Sequence, residues 1–214
     1  GAGPCSIHHV AEGNATGEPS PRTKRLPPRT PFVPSAGALM VPGDSATVRE
    51  AVDAAKPGDL VLIGPGTYHE AVIVETDDIV FRGTDRNAVV IDGEHERENG
   101  FIVFSNGVAI ENLTTHSHTS NGVFFTGDYG TDIIVDGYRA SYVTAYNNGL
   151  YGIYAFNATN GLIEHSYGSG HPDSAFYIGQ CNPCNAVIRN VVAENNALGY
   201  SGTNASGNLI IQDS

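Results

Sequence analysis

The stretch "NGFIVFSNGVAIENLTTHSHTSNGVFFTG" (99–127) begins and ends on the same phrase, Asn-Gly followed by apolar residues. The phrase returns, altered, as "YGIYAFN" (151–157), "SAFYIGQ" (174–180) and "LGYSGTN" (198–204). Its second residues are Gly100, Gly122, Gly152, Ala175 and Gly199, spaced 22, 30, 23 and 24 apart. A second family, "VAIENL", "GLIEHS", "AVIRNV" and "NLIIQD", follows it, and a third appears in "VTAYNNG" (143–149) and "VVAENNA" (191–197). A repeat of about 23 residues that holds several short strands and no helix predicts a solenoid. The expected fold is all-β, a parallel β-helix whose coils bury their apolar faces only by stacking. The one 30-residue interval predicts an insertion, "GDYGTDIIVDG" (127–137), looping out of a coil.

Asparagine supports the turns this needs. There are 17, of which 16 follow residue 86, and Asn tolerates the left-handed turn conformation. Asn147, Asn148, Asn195 and Asn196 fall at equivalent positions of the repeat.

Working outward, "ATVREAVDAAK" (46–56) places Val48, Ala51, Val52 and Ala55 on one helical stripe. Asp44 and Ser45 offer N-cap chemistry, and "KPGD" (56–59) ends the helix. Residues 1–36 differ from the rest: "GEPSPRTKRLPPRTPFVPSAG" carries six prolines and reads as an extended, flexible tail. The β-helix domain is expected over 37–214. Cys5, near the start, reads either as the lipid anchor of a tethered lipoprotein or as a free thiol in that tail.

Net charge is −12 with only two lysines. That argues against a nucleic-acid partner, which needs a basic stripe, and against steering toward polyanions unless cations bridge the charges. No apolar run is long enough for a transmembrane segment.

The stretch "VPGDSATVREAVDAAKPGDLVLIGPGTYHEAVIV" (41–74), followed by "IVFRG" and "AVVIDGE", resembles the opening of right-handed parallel β-helix proteins of the pectate-lyase-like superfamily. It has their amphipathic helix followed by PGD-x-V-x-x-x-PGTY-x-E. It is most similar to the bacterial secreted repeat proteins grouped with the periplasmic maturation factor of nitrous oxide reductase and with carbohydrate-binding and sugar-hydrolase β-helices. The resemblance implies a right-handed solenoid with an N-terminal capping helix, and little about function, since this scaffold carries many activities. The last coil ends at "NLIIQDS" (208–214) with no evident cap. This predicts further chain, a protein partner or self-association at that open edge.

The enzymes this resemblance brings in use carboxylates. The Asn-Thr-Asp, Asp-Asp, Gly-His-Gly and Arg-x-Lys series of polygalacturonases and the Arg-x-Pro-x-x-Arg motif of lyases are absent here. The candidate catalytic segment is "EHSYGSGHPDSAFY" (164–177), with Tyr167, His171 and Asp173 as the residues of interest. Mannuronan C5-epimerases carry Tyr-Gly-x-Asp-Pro-His-Asp, in which Tyr and His handle the C5 proton. This chain has Tyr167-Gly168, then His171-Pro172-Asp173 in the opposite order, so a plain polar turn remains the alternative. For a metal, His116 and His118 in "TTHSHTS" (114–120) alternate as strand residues that face the same way. His165 lies in a related segment, and copper, zinc or calcium are the candidate ions. "CSIHH" (5–9) would bind metal adventitiously.

Cys181 and Cys184 form a CxxC with no second ligand pair for zinc. The flanks read as strands, unlike a thioredoxin-type helix start. Phe176 to Val187 spans two residues more than the equivalent steps in neighbouring repeats. A disulfide stapling an enlarged turn is the leading reading, beside redox or metal work and free thiols. The expected protein is secreted, periplasmic or cell-surface. It is a carbohydrate-binding or structural module with a polysaccharide or surface glycan as partner, presenting Tyr138, Tyr142, Tyr146, Tyr151 and Tyr167. The alternatives are a polysaccharide lyase, hydrolase or epimerase, and a metal-handling accessory protein.

Overall fold

The computed structural model describes residues 37–214 apart from Tyr129 and Asp132. Cys5, "CSIHH" and the Pro-rich tail lie outside the described residues. Within them, strands of two to six residues are broken at residues in the left-handed conformation, and these recur once per coil. Asn112, Tyr142, His165, Asn190 and Asp213 form one such column. Ser117, Asn147, Gly170 and Asn195 form a second, and Gly107, Gly137, Asn160, Asn185 and Asn208 a third. Asn, Asp and Gly dominate because only small or locally hydrogen-bonding side chains reach that region cheaply.

The turns carry the chain through three parallel sheets. The first has eight strands, from Leu39–Val41 to Leu209–Gln212. The second has six, from Gly66–Tyr68 to Val192–Glu194. The third has six: Val72–Val74, Asn99–Val103, Asn121–Thr126, Ile153–Phe156, Ser174–Gly179 and Leu198–Ser201. The result is a right-handed parallel β-solenoid of about 7 turns with about 23 residues per coil. The repeat read from sequence is the register itself. Asn99 pairs with Asn121, Val123 with Ile153, Ile153 with Phe176 and Phe176 with Tyr200.

Alternation along each strand sends one set of side chains inward. Phe81, Phe101, Phe125 and Phe176 fill the interior with Ile63, Ile91, Ile110 and Val123. Each such side chain contributes about 1.5–3 kcal/mol by burial. The glycine column Gly100, Gly122, Gly152 keeps a corner open. A Cβ there would lie 2.9 Å from His118 Nε2, 2.9 Å from Asn148 Nδ2 and 2.7 Å from His171 Nε2, respectively.

The helix Val48–Ala54 lays Val48, Ala51 and Val52 over the first coil. Its N-cap is Thr47, not Asp44 or Ser45: the Thr47 hydroxyl accepts from Glu50 N at 3.1 Å. Asp44 instead accepts from Met40 N. Glu70 accepts from Val48 N and Arg49 N at 3.0 and 2.8 Å. The last residue of the PGTY-x-E phrase therefore ties the first coil to the helix N-terminus, where a carboxylate also meets the positive end of the helix dipole.

The segment 127–137 does leave the coil. It contains an antiparallel bridge between Asp128 and Ile133, and Val135–Asp136 pairs with Ala158–Thr159. Cys181 and Cys184 are joined in a disulfide. Because Val187 pairs with Ile210, not Leu209, their turn is two residues longer than that of the preceding coil but only one longer than that of the following coil. At the last coil Leu198, Ile210 and Ile211 are exposed.

Candidate functional site

The outward positions of the third sheet line up by register. Ile73, Ile102, Phe124, Tyr154 and Tyr177 form one column, continuing to Ser201. The rings meet. Phe124 and Tyr154 stack with centroids 4.3 Å apart and planes 5° apart. Tyr154 and Tyr177 meet edge to face at 4.8 Å. Tyr151 covers both, at 4.6 and 5.1 Å, and Phe156 touches Tyr154 at 5.8 Å. Offset-stacked and edge-to-face pairs each add about 0.5–1.5 kcal/mol beyond burial. Ile73, at the start of this column, is exposed, as are Phe104, Ile133 and Leu150.

A polar row runs beside the rings: Asn99, Asn121, Tyr151 and Ser174 occupy the neighbouring column, with Asn99, Asn121 and Ser174 buried and Tyr151 partly exposed. Asn121 Nδ2 donates to Asn99 Oδ1 at 2.8 Å, and the Ser174 and Ser201 hydroxyls lie 2.7 Å apart. Burial, Asp173, Tyr177 and a hydrogen bond to Asp173 together push the Tyr151 hydroxyl up to about 12. Burial likewise raises that of Tyr154. Both tyrosines are neutral hydroxyls at any physiological pH.

Tyr167, His171 and Asp173 are not brought together. Tyr167 is fully buried on the outer side of the second sheet, where its hydroxyl donates to Glu194 Oε2 at 2.9 Å. The His171 ring is inside the corner, with Nδ1 3.4 Å from Asn148 O and Nε2 3.3 Å from Ala145 O. Burial pulls its pKa down to about 4, against the two carbonyls. Asp173 reaches the aromatic face through Tyr151.

His116, His118 and His165 also separate. Ser117 takes a positive φ, so strand alternation breaks between His116 and His118 and the two rings face opposite ways. His116 points outward, with Nδ1 3.5 Å from Asp92 Oδ1, and stacks on Tyr146 at 4.6 Å. His118 points into the corner and is fully buried, and burial takes it down to about 4. His165 stacks on Tyr142 at a different corner. Among the described residues no three His, Cys, Asp or Glu side chains are grouped to hold a metal ion. The copper, zinc and calcium expectations therefore find no site there.

What the histidines do form is an internal ladder. His118, Asn148, His171 and Asn196 each follow the left-handed residue of the second corner. Asn148 Oδ1 accepts from His118 N at 3.1 Å and Asn196 Oδ1 from His171 N at 3.0 Å. Asn148 and Asn196 were expected as turn formers. The turn falls to Asn147 and Asn195, and their neighbours satisfy buried backbone groups.

Charge is concentrated on the first sheet. Arg82 Nε donates to Glu111 Oε2 at 2.5 Å, and Arg139 pairs with the same carboxylate. Arg189 donates twice to Glu164 Oε2, at 2.9 and 2.7 Å, and Ser141 Oγ to Glu164 Oε1 at 3.0 Å. Burial raises the Glu164 carboxyl, but the Arg189 and Ser141 hydrogen bonds outweigh it and leave it below the usual value. This carboxylate is a clamp between coils and a poor proton donor.

Of the five tyrosines expected at the surface, Tyr138 and Tyr167 are buried. Tyr142 and Tyr146 stack on histidines. Only Tyr151 joins the aromatic face. Phe124, Tyr154, Phe156 and Tyr177 were passed over, although Phe124, Tyr154 and Tyr177 share the fourth place of the aligned phrases.

No protein-family model and no curated protein matches the chain. Solved structures do. Pectin methylesterase PemA from Erwinia chrysanthemi superposes with a TM-score of 0.58 at 13% identity, over 85% of this chain and 68% of that one. The AlgE6 A-module, a mannuronan C-5 epimerase from Azotobacter vinelandii, gives 0.56 at 17% identity, over 83% of this chain and 57% of that one. A mannuronic acid specific polysaccharide family 6 lyase from human gut microbiota gives 0.56 at 12% identity, over 82% and 51%. The chain shares the parallel β-helix fold of these structures, and it spans little more than half of the epimerase and lyase chains.

Proposed function

We propose that this β-helix is an extracytoplasmic carbohydrate-binding module whose binding surface is the outer face of the third sheet. The observation that carries the reading is the connected cluster of Phe124, Tyr151, Tyr154, Phe156 and Tyr177 on that face. The Phe124, Tyr151, Tyr154 and Phe156 rings are partly exposed, with Tyr177 buried against them, and a contiguous, partly exposed aromatic patch supports a binding surface. Partly exposed rings, two of them carrying hydroxyls, suit a ligand with apolar C–H faces and a rim of hydroxyls. Folds of the same architecture act on polysaccharides, and a pectin methylesterase of this kind is seen in complex with a hexasaccharide, which supports the ligand class. The disulfide supports an oxidising compartment.

The test is a glycan array followed by calorimetry on the best binders. Tyr151→Ala and Tyr154→Ala are expected to weaken binding about 10-fold or more, the scale of losing an anchor of roughly 1.4–2 kcal/mol. Unchanged binding in both variants would remove the third sheet as the surface.

The enzyme reading keeps one supporting feature, Asp173 hydrogen-bonded to Tyr151 at the edge of the face. Release of unsaturated or shortened product from a bound polysaccharide, lost in Asp173→Asn, would establish it in place of a binding module.

A further inference from the structure

The three sheets differ in charge. Arg82, Glu111, Arg139, Glu164 and Arg189 lie in strands of the first. Asp92, His116 and Glu194 lie in strands of the second. Not one residue in the six strands of the third is charged. The aromatic face is neutral, and a frame of acids borders it. Glu75 follows its first strand, Glu98 precedes its second, Asp128 lies just beyond its third and Asp173 precedes its fifth. Hydrogen bonds from Thr131 and Gly130 hold the Asp128 carboxyl below its usual range, so it stays ionised. Arg97, next to Glu98, is paired with Glu94 at 2.5 Å.

We infer that the ligand of this face is an uncharged polysaccharide, not a polyuronate. The inference rests on the glycan-binding reading above and narrows it. A uronate carboxylate is held by an Arg or Lys fork or by a bridging cation. The third-sheet strands offer no cationic side chain, and no group for a metal ion exists among the described residues. A carboxylated chain laid along Phe124, Tyr154 and Tyr177 would meet only like charge at its margins. One like-charge approach at about 6 Å in water costs roughly a factor of three in affinity, so two such approaches give about tenfold. The hydroxyls of the partly exposed Tyr151 and Tyr154 are, by contrast, uncharged partners for sugar hydroxyls, while Asn99, Asn121 and Ser174 lie buried behind them. The three steps between strands from Ile102 to Tyr177, at about 4.8 Å each, give a strip roughly 14 Å long, so the ligand is met as a chain rather than as a single sugar.

The experiment measures binding to soluble neutral polysaccharides (β-glucan, mannan, galactan) and to polygalacturonate and polymannuronate. EDTA is present throughout, and salt is set low and then at 1 M. The expected result is a neutral binder at least about tenfold tighter than either polyuronate at low salt. Its own affinity should be insensitive to salt, and the gap should narrow at 1 M, where screening acts within about 3 Å. Glu75→Gln with Asp128→Asn should strengthen residual polyuronate binding several-fold and leave the neutral ligand unchanged. Polyuronate binding equal to or tighter than neutral binding at low salt would overturn the inference while leaving the glycan face standing. Binding to neither class, or a dimer in sedimentation that Tyr154→Ala disperses, would remove the glycan reading and the inference with it.

Discussion

The buried histidines make stability fall in mild acid, by an amount that can be worked out. His118 and His171 are held near pKa 4 in the folded chain, with burial as the leading cause. Unfolded, each returns to about 6.5. A group whose folded pKa is depressed leaves the unfolded state binding more protons, so stability is full above about 6.5 and drains as pH falls toward 4. At pH 5 each ring costs about 2 kcal/mol relative to pH 8, about 4 kcal/mol for the pair. For a chain of this size that is on the order of 10 °C in Tm. The ladder supplies its own control, since Asn148 and Asn196 already occupy alternate places in it and accept from His118 N and His171 N. The double variant His118→Asn, His171→Asn should lose less than about 1 kcal/mol between pH 8 and pH 5, each single variant falling halfway. Urea unfolding at the two pH values reads this directly. His116, also lowered by burial, stays in every variant and sets the residual slope. If the double variant loses as much as the natural chain, the buried-ladder account of these histidines is wrong.

Four more outcomes follow from the packing. Gly152→Ala should destabilise by about 1–3 kcal/mol, because its Cβ would lie 2.7 Å from His171 Nε2 and 2.5 Å from Ala175 O. Gly199→Ala, whose nearest atom is Ala193 Cβ at 3.5 Å, should be neutral within about 0.5 kcal/mol by thermal melts. Glu111→Gln leaves Arg82 and Arg139 without their shared carboxylate and should cost about 1–3 kcal/mol after discounting the half-exposed Arg139. A Glu111→Gln chain as stable as the original would show that the first-sheet ladder is decorative. Cys181→Ser with Cys184→Ser should lower stability by about 2 kcal/mol at most, since so short a loop carries little closure entropy, and should leave the β circular dichroism intact.

The fold was legible because solenoid register is a sequence property: the Gly100, Gly122, Gly152, Ala175, Gly199 alignment is the hydrogen-bonded pairing of the third sheet. The site was legible only in part. Residue type alone does not separate surface tyrosines from buried ones; the face is defined by column, and the same alignment holds Phe124, Tyr154 and Tyr177 together. The His116-Ser117-His118 error has a related origin. Alternation was assumed through a corner, although Ser117 occupies the place that Asn147, Gly170 and Asn195 mark as left-handed. The inward turn of His171 belongs to the same corner. Tyr167 is different: its burial on an outer face, bonded to Glu194 in the next coil, has no counterpart in local sequence.

A crystal structure with the tightest-binding oligosaccharide tests the central claim most directly. The sugar rings should lie along the third sheet, against the partly exposed Phe124, Tyr151 and Tyr154. Sugar seated instead on the Arg82–Glu111–Arg189 face of the first sheet, or beside Tyr167 on the second, would contradict it.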